Sequence, residues 1–316
     1  MKIIFFGTPQ FAANVLSYLL QHKLNVVAVV TKPDRPLGRS GTPVATPVKV
    51  IAELNHPPLP VFQPELVSLP SFAETLEQFQ ADLFVVVAYG EILKQHLLDL
   101  PKVACINIHA SLLPKYRGAA PIQRCLIEGE TESGVTIMHM VKKMDAGDMI
   151  KKGVVPIGPN TTYGELEQQL CRVGSDLILE SIRDFEAGTA QRTPQDHTTA
   201  TLAPKLELED CEIDWKLPAQ QIHNLVRGVN PHPGAWCFVE VKGQKKRLKV
   251  IATRVAETDT YDDKPGQIQS PKNALIVKCG IGSLAIIELQ LEGKKAMPAE
   301  ELMRGIAQGS LIFFSF

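Results

Sequence analysis

The densest run of side chains able to do chemistry is NIHASLLPKYRGAAPIQ, residues 107–123. It holds Asn107 and His109 two positions apart. On a strand, residues i and i+2 stand on one face, so an amide donor and an imidazole would converge on a single point. A carbonyl group turning into an oxyanion asks for that arrangement: preorganised donors aimed where charge develops, each worth on the order of 100- to 1000-fold in rate. The plainer reading of the pair is a strand-end Asn in a turn and a half-buried His satisfied by backbone. A carboxylate beside the ring would favour the chemical reading, because it would orient the imidazole and stabilise its charged form. Two are available in KKMDAGDMI, Asp145 and Asp148, and spacing alone does not choose between them.

The elements that would carry these groups are legible in the hydrophobic pattern. KIIFF (2–6), NVVAVV (25–30) and DLFVVVAY (82–89) are apolar almost throughout, which suits strands covered on both faces, and helical patterns at 10–22 and 71–80 separate them. The fold class is therefore α/β, with a Rossmann-like, mostly parallel sheet and its functional loops at the carboxyl ends of the strands. ACINIHASLLP (104–114) reads as a further strand running into such a loop, which is where Asn107 and His109 fall. GVTIMHMVKKMDAGDMIKKGVVPI (134–157) reads as two strands joined by a turn at Asp145–Gly147, followed by a long amphipathic helix over 161–187. Gly7 closes the first strand, but GTPQFA has neither the G-x-G-x-x-G spacing nor a G-K-[ST] ending, which argues against a nicotinamide or nucleoside triphosphate cofactor.

A chain of 316 residues, 45% hydrophobic and 21% charged, has the length of about two domains. The polar, aperiodic stretch 189–208 reads as a linker, which divides the chain into a catalytic domain (1–188) and a C-terminal domain (209–316). In the latter, a helix at 218–229 precedes short strands at 235–241, 246–256, 265–270, 274–279 and 283–290, a pattern that fits an OB-type β-barrel. The closing GSLIFFSF (309–316) is apolar enough for a final strand or for packing on a partner. With 33 Lys and Arg against 34 Asp and Glu, the formal charge is -1, so any nucleic-acid surface must be local. The N-terminus lacks a signal-peptide pattern and no apolar run approaches a membrane span, so the expectation is a cytoplasmic protein with no membrane association. A monomer is expected, though nothing in the sequence determines the oligomeric state. The cysteines lie far apart without a C-x-x-C pair, which suggests reduced packing residues, no zinc site and no disulfide framework.

The run Asn-x-His-x-Ser-Leu-Leu-Pro with a distant Asp resembles the formyltransferases that use 10-formyltetrahydrofolate. GTPQFA, AYGEIL (88–93), LEDCEIDW (208–215) and LVRGVNPHPGAW (225–236) extend the resemblance over nearly the whole chain, towards the branch that formylates initiator methionyl-tRNA for translation initiation. The resemblance implies 10-formyltetrahydrofolate as formyl donor, no metal, and Asn107, His109 and Asp145 as the catalytic trio. Ser111, Leu112, Leu113 and Pro114 match the folate-binding run, and Tyr89, Gly90, Ile92 and Leu93 match the segment whose backbone reads the pterin ring in relatives. An amine would attack the formyl carbon, Asn107 and a protonated His109 would hold the oxyanion, and Asp145 would keep the ring charged and take up the amine proton.

Binding a tRNA acceptor end would need a basic surface. VKGQKKRLKVIATRVA (241–256) has no acidic residue and carries Lys242, Lys245, Lys246, Arg247 and Lys249 on an expected strand-turn-strand. The long loop 31–49 is a second candidate, with Arg39 as its main cation and Lys49 beyond, where relatives have more glycine and lysine. Other readings stay open: formylation of an amino-sugar nucleotide, a purine-synthesis formyltransferase, hydrolysis of the folate, or a non-catalytic folate sensor that binds nucleic acid.

Overall fold

In the computed structural model, residues 1–36, 41–241, 243–256, 264–269, 274–304 and 311–313 are described. In chain order the first part contains β1 (Ile3–Gly7), α1 (Gln10–Gln21), β2 (Val26–Val30), β3 (Arg35–Pro36), β4 (Pro43–Val44), α2 (Pro47–Leu54), β5 (Val61–Phe62), α3 (Pro70–Glu77), β6 (Leu83–Val87), α4 (Gln95–Leu98), β7 (Ala104–His109), α5 (Pro121–Ile127), β8 (Glu132–His139), β9 (Met149–Pro156) and α6 (Tyr163–Ala187). There follow α7 (Ala219–Gly228), β10 (Ala235–Val241), β11 (Gln244–Ala256), β12 (Ile268–Gln269), β13 (Leu275–Lys278), β14 (Ser283–Leu291), β15 (Met297–Pro298), α8 (Ala299–Arg304) and β16 (Leu311–Phe313).

The chain divides into two compact units, one of residues 1–118, 132–156 and 167–203, the other of 119–131, 157–166 and 204–316. Two short segments inside the expected catalytic domain thus group with the C-terminal unit. The segment expected to be a linker is, over 193–203, hydrogen-bonded into the first unit: Thr193 exchanges bonds with Met149, and Ala203 N donates to Arg117 O.

In the first unit one sheet runs β5-β2-β1-β6-β7-β8-β9, parallel through β7 and antiparallel beyond it. The apolar runs form its centre because both faces are covered: Ile3, Ile4, Phe5 and Phe6 of β1 are each at most 1% exposed, burial worth about 2 kcal/mol for each such side chain. Helix α1 buries Phe11, Ala12, Val15, Leu16 and Leu19, the stripe that its three- and four-residue spacings align, and it ends before Lys23 at φ 60°. Strand order reverses between β1 and β6, so the loops after β1, β6 and β7 open at one end of the sheet.

The second unit is built on an antiparallel sheet of OB type, β12-β13-β14-β11-β10-β16, with β15 paired to β14. The thirteen-residue β11 pairs with β10 over Gln244–Val250 and with β14 over Leu248–Ala256, where the register shifts near Val250–Thr253, the kind of bulge that bends a strand. Of the apolar tail, the described residues Leu311–Phe313 form a strand: β16 pairs with β10, and Phe313 packs edge-on against the fully buried Trp215 at 5.2 Å between ring centroids.

Candidate active site

Asn107 and His109 sit at the carboxyl end of β7, between β6 and β8. His109 is 5% exposed, and both ring nitrogens face acceptors. Its Nε2 lies 2.9 Å from the Tyr116 carbonyl oxygen. That oxygen only accepts, so Nε2 carries a hydrogen. Nδ1 faces Asp145 Oδ2 at 3.7 Å, an ion-pair distance longer than a hydrogen bond. Asn107 is half-buried, and its side-chain amide has no hydrogen-bond partner among the described residues.

Between the two candidate carboxylates the geometry decides. Asp145 stands at φ 49°, the left-handed region that Asp tolerates, and its Oδ2 accepts a 2.8 Å bond from Gly118 N. Asp148 is engaged elsewhere, 3.4 Å from Arg192 Nε, with its carbonyl accepting from His139 N. The turn between β8 and β9 is tightly built at Gly147, where a Cβ would lie 1.9 Å from the His139 carbonyl oxygen. Gly118 is as constrained, at φ 125° with a Cβ position 2.6 Å from Ala203 O.

The other expected folate residues divide by orientation. Ser111 and Leu113 are turned inward. Ser111 Oγ donates to Lys115 O, Thr136 Oγ1 donates to Ser111 O and accepts from Leu113 N, and Leu113 packs with Met138 and Met149. Leu112 lies over Gly134, where any side chain would collide with it, and Pro114 is half-buried. In the loop after β6, Gly90 at φ 88° and Ile92 are exposed, whereas Tyr89 and Leu93 join the core. Tyr89 stacks edge-on against Phe6, and burial pushes its phenol, which has no hydrogen-bond partner among the described residues, well above its ordinary range. A cavity of about 220 Å³ lined by Leu76, Phe84, Leu100 and Lys102 among others opens at the amino ends of β6 and β7. That is the opposite end of these strands from Asn107 and His109.

Neither the motif nor the periodicity pointed to Gln195. It is 6% exposed, and its Nε2 donates to both Asp145 O (2.9 Å) and Gly147 O (2.7 Å). Its Oε1 accepts from Arg117 Nε and Nη2, and Arg117 Nη2 also reaches His197 Nδ1 at 2.8 Å.

Residues 1–182 match the family described as formyl transferase, and 205–307 match the formyl transferase C-terminal domain. The chain belongs to the formyl transferase family. This formyltransferase is 60% identical over 314 residues to the methionyl-tRNA formyltransferase of Protochlamydia amoebophila, covering 99% of this chain and 98% of that one. It is 47% identical to the methionyl-tRNA formyltransferase of Geobacter metallireducens, covering 96% of each. Among solved structures, it superposes on an N-formyltransferase from Helicobacter canadensis, in complex with folinic acid and dTDP-3-aminofucose, with a TM-score of 0.66, 20% identity and 90% and 98% of the two chains covered. HypX from Aquifex aeolicus in complex with tetrahydrofolic acid gives a TM-score of 0.62 at 19% identity, over 98% of this chain and 48% of that one. At such identities these two likenesses speak for the fold.

On the second unit, the β10–β11 hairpin sorts the expected cations by face. Lys245, Arg247 and Lys249 alternate along β11 opposite Glu240, Phe238 and Trp236. Lys245 Nζ lies 4.1 Å above the Phe238 ring and the Arg247 guanidinium 4.1 Å above Trp236. Lys246 pairs with Val239 and stands on the other face, that of buried Leu248 and Val250. The charge balance missing within 241–256 comes from across the sheet: Glu240 is opposite Lys245, and the Glu292 carboxylate accepts from Arg247 N. Lys242 and Arg39 lie outside the described residues. Within 31–49, expected to be one long loop, β3 and β4 pair antiparallel and α2 begins at Pro47, so that Lys49 is a helix residue, held by Asp34 at 2.6 Å. All six cysteines are free and buried, and burial pushes the thiols of Cys105 and Cys237 far up. Among the described residues no cluster of three or more His, Cys, Asp or Glu could hold a metal ion, and no helix is long and apolar enough to cross a membrane.

Proposed function

We propose that the chain transfers the formyl group of 10-formyltetrahydrofolate to the α-amine of initiator methionyl-tRNA. The observation that carries the chemistry is the His109 and Asp145 pair at the carboxyl end of β7, with the Asn107 amide beside it, which has no hydrogen-bond partner among the described residues. Asn107 donates to the formyl oxygen as it gains charge. The N–H that His109 gives to the Tyr116 carbonyl is the second donor, because an oxyanion is a stronger acceptor than a neutral carbonyl and competes for it. Asp145 Oδ2 is occupied by Gly118 N, which leaves Oδ1 to accept the proton of the attacking amine. The new bond joins the amine nitrogen to the formyl carbon, the bond from that carbon to N10 breaks, and the amine proton passes to N10. Exposed Gly90 and Ile92, with Leu112 and Pro114, form the wall for the flat pterin and aminobenzoyl body. Tyr89, Ser111, Leu113 and Leu93 support that wall from within.

For the acceptor, two relatives sharing 60% and 47% of their residues with this chain are methionyl-tRNA formyltransferases, whereas the Helicobacter structure shown with an amino sugar shares 20%. The face of Lys245, Arg247 and Lys249 suits a phosphate backbone: the Phe238 and Trp236 rings beneath seat Lys245 and Arg247 side by side. We place the protein in the cytoplasm as a monomer. Incubation of the full chain with 10-formyltetrahydrofolate and charged initiator tRNA should give formylmethionyl-tRNA and tetrahydrofolate in equal amounts, and His109→Ala should abolish both. Tetrahydrofolate released without formylated tRNA would remove the acceptor from this reading.

A further inference from the structure

We infer that Gln195 is a positioning residue for the reaction, acting through Asp145 and held in place by Arg117. The inference rests on the formyl-transfer reading of Asn107, His109 and Asp145. Asp145 occupies a left-handed backbone conformation in a turn, where no strand ladder fixes its main chain. Such a conformation costs about 1 to 3 kcal/mol and persists only where the surroundings over-determine it. Gln195 supplies that constraint: one buried amide nitrogen ties the carbonyls on both sides of Ala146, those of Asp145 and Gly147.

The amide itself is fixed at its other end. Arg117 directs two donors, Nε at 3.1 Å and Nη2 at 2.6 Å, onto the Gln195 oxygen. With the oxygen so held, the amide cannot flip, and its nitrogen must face the turn. The next residue, Gly118, gives its N–H to the Asp145 carboxylate, and the preceding one, Tyr116, offers its carbonyl to His109 Nε2. Three consecutive residues therefore locate both members of the pair. Tyr116 holds the ring, Gly118 holds the carboxylate, and Arg117, through Gln195, holds the backbone beneath it. Cutting the Gln195 bonds frees the turn while leaving every proposed reacting group present. A displacement of about 1 Å at a reacting group costs on the order of 100-fold in rate.

The test separates donor from acceptor on the one side chain. Gln195→Glu keeps an oxygen for Arg117 but puts a carboxylate against two carbonyls. A residue serving only to neutralise or pack Arg117 would be satisfied by it; the positioning role is not. The expected result for Gln195→Glu is a fall in kcat of about 10- to 100-fold with an unchanged KM for 10-formyltetrahydrofolate, in a chain that stays folded at the assay temperature although its Tm is lowered. Combined with Asp145→Asn, it should cause no further loss beyond that of Asp145→Asn alone, since both act on one group. Wild-type kcat in Gln195→Glu, or a loss that multiplies with that of Asp145→Asn, overturns the inference while formyl transfer stands. Absence of turnover in the wild-type chain removes the formyl-transfer reading and the inference with it.

Discussion

At Asn107 the side-chain amide has no hydrogen-bond partner among the described residues, at the strand end where its neighbour two residues on faces a carboxylate. Under the proposed reaction that amide is the donor to the formyl oxygen. We predict that Asn107→Ala lowers kcat for formylation by about 100-fold with little change in the KM for the folate donor, because the bond is made to charge that exists only in the transition state. Steady-state rates at varied donor concentration would show it, and an unaltered kcat would reduce Asn107 to a strand residue. Their two-residue spacing placed Asn107 and His109 on one strand face, whatever surrounds it, while their assignment to chemistry came from the resemblance and not from the spacing. Asp145 was readable only as one of two, because its choice over Asp148 depends on a backbone conformation and on the N–H of Gly118.

At the scale of the element, α7 shows how a helix can make a unit sensitive to pH. His223 is buried on it, with Nε2 on the Pro159 carbonyl at 3.1 Å and Nδ1 beside the Thr253 hydroxyl at 2.9 Å. The carbonyl can only accept, so Nε2 donates, and the hydroxyl can satisfy Nδ1 of the neutral ring. Burial, and to a lesser degree the charge of Arg227, hold the imidazole below its ordinary value of 6.5. The unfolded chain then binds more protons, so the stability His223 contributes is present above about pH 6.5 and is lost as pH falls through the lower folded value. His139, lowered mainly by burial in the first unit, adds the same trend. Accordingly, Tm should fall between about pH 7 and about pH 5, and His223→Gln, which keeps a donor and an acceptor, should flatten part of that fall. A parallel pH curve in the variant would assign the whole slope to other groups. None of this could be read from the sequence around His223, because its partners come from 64 residues before it and 30 after it.

For the molecule as a whole, a formal charge of -1 leaves nucleic-acid affinity to one local face. If Lys245, Arg247 and Lys249 meet phosphates, replacing all three by Gln should raise the KM for tRNA and make log K against log salt less steep by about 2 to 3. Lys246→Gln, on the opposite face of β11, should do neither. An unchanged salt slope in the triple variant would move tRNA binding off this hairpin. The Gln variants keep the core intact, since Leu248 and Val250 alternate with the replaced positions.

By itself, the sequence determined the class of fold, the β10–β11 hairpin and the strand end on which the chemistry is proposed. Each rests on a local cause: continuous apolar runs make doubly covered strands, alternation sets a face, and Gly243 at φ 75° lets the chain reverse between β10 and β11. The tertiary structure alone decided which cations share a face with Trp236 and Phe238, that 193–203 folds onto the Asp145 turn, and that Gln195 and Arg117 hold that turn from beneath. These relations join residues 50 and 78 positions apart. A buried hydrogen bond of that reach leaves no period in the chain, because it answers to the geometry of packing and not to neighbours in sequence.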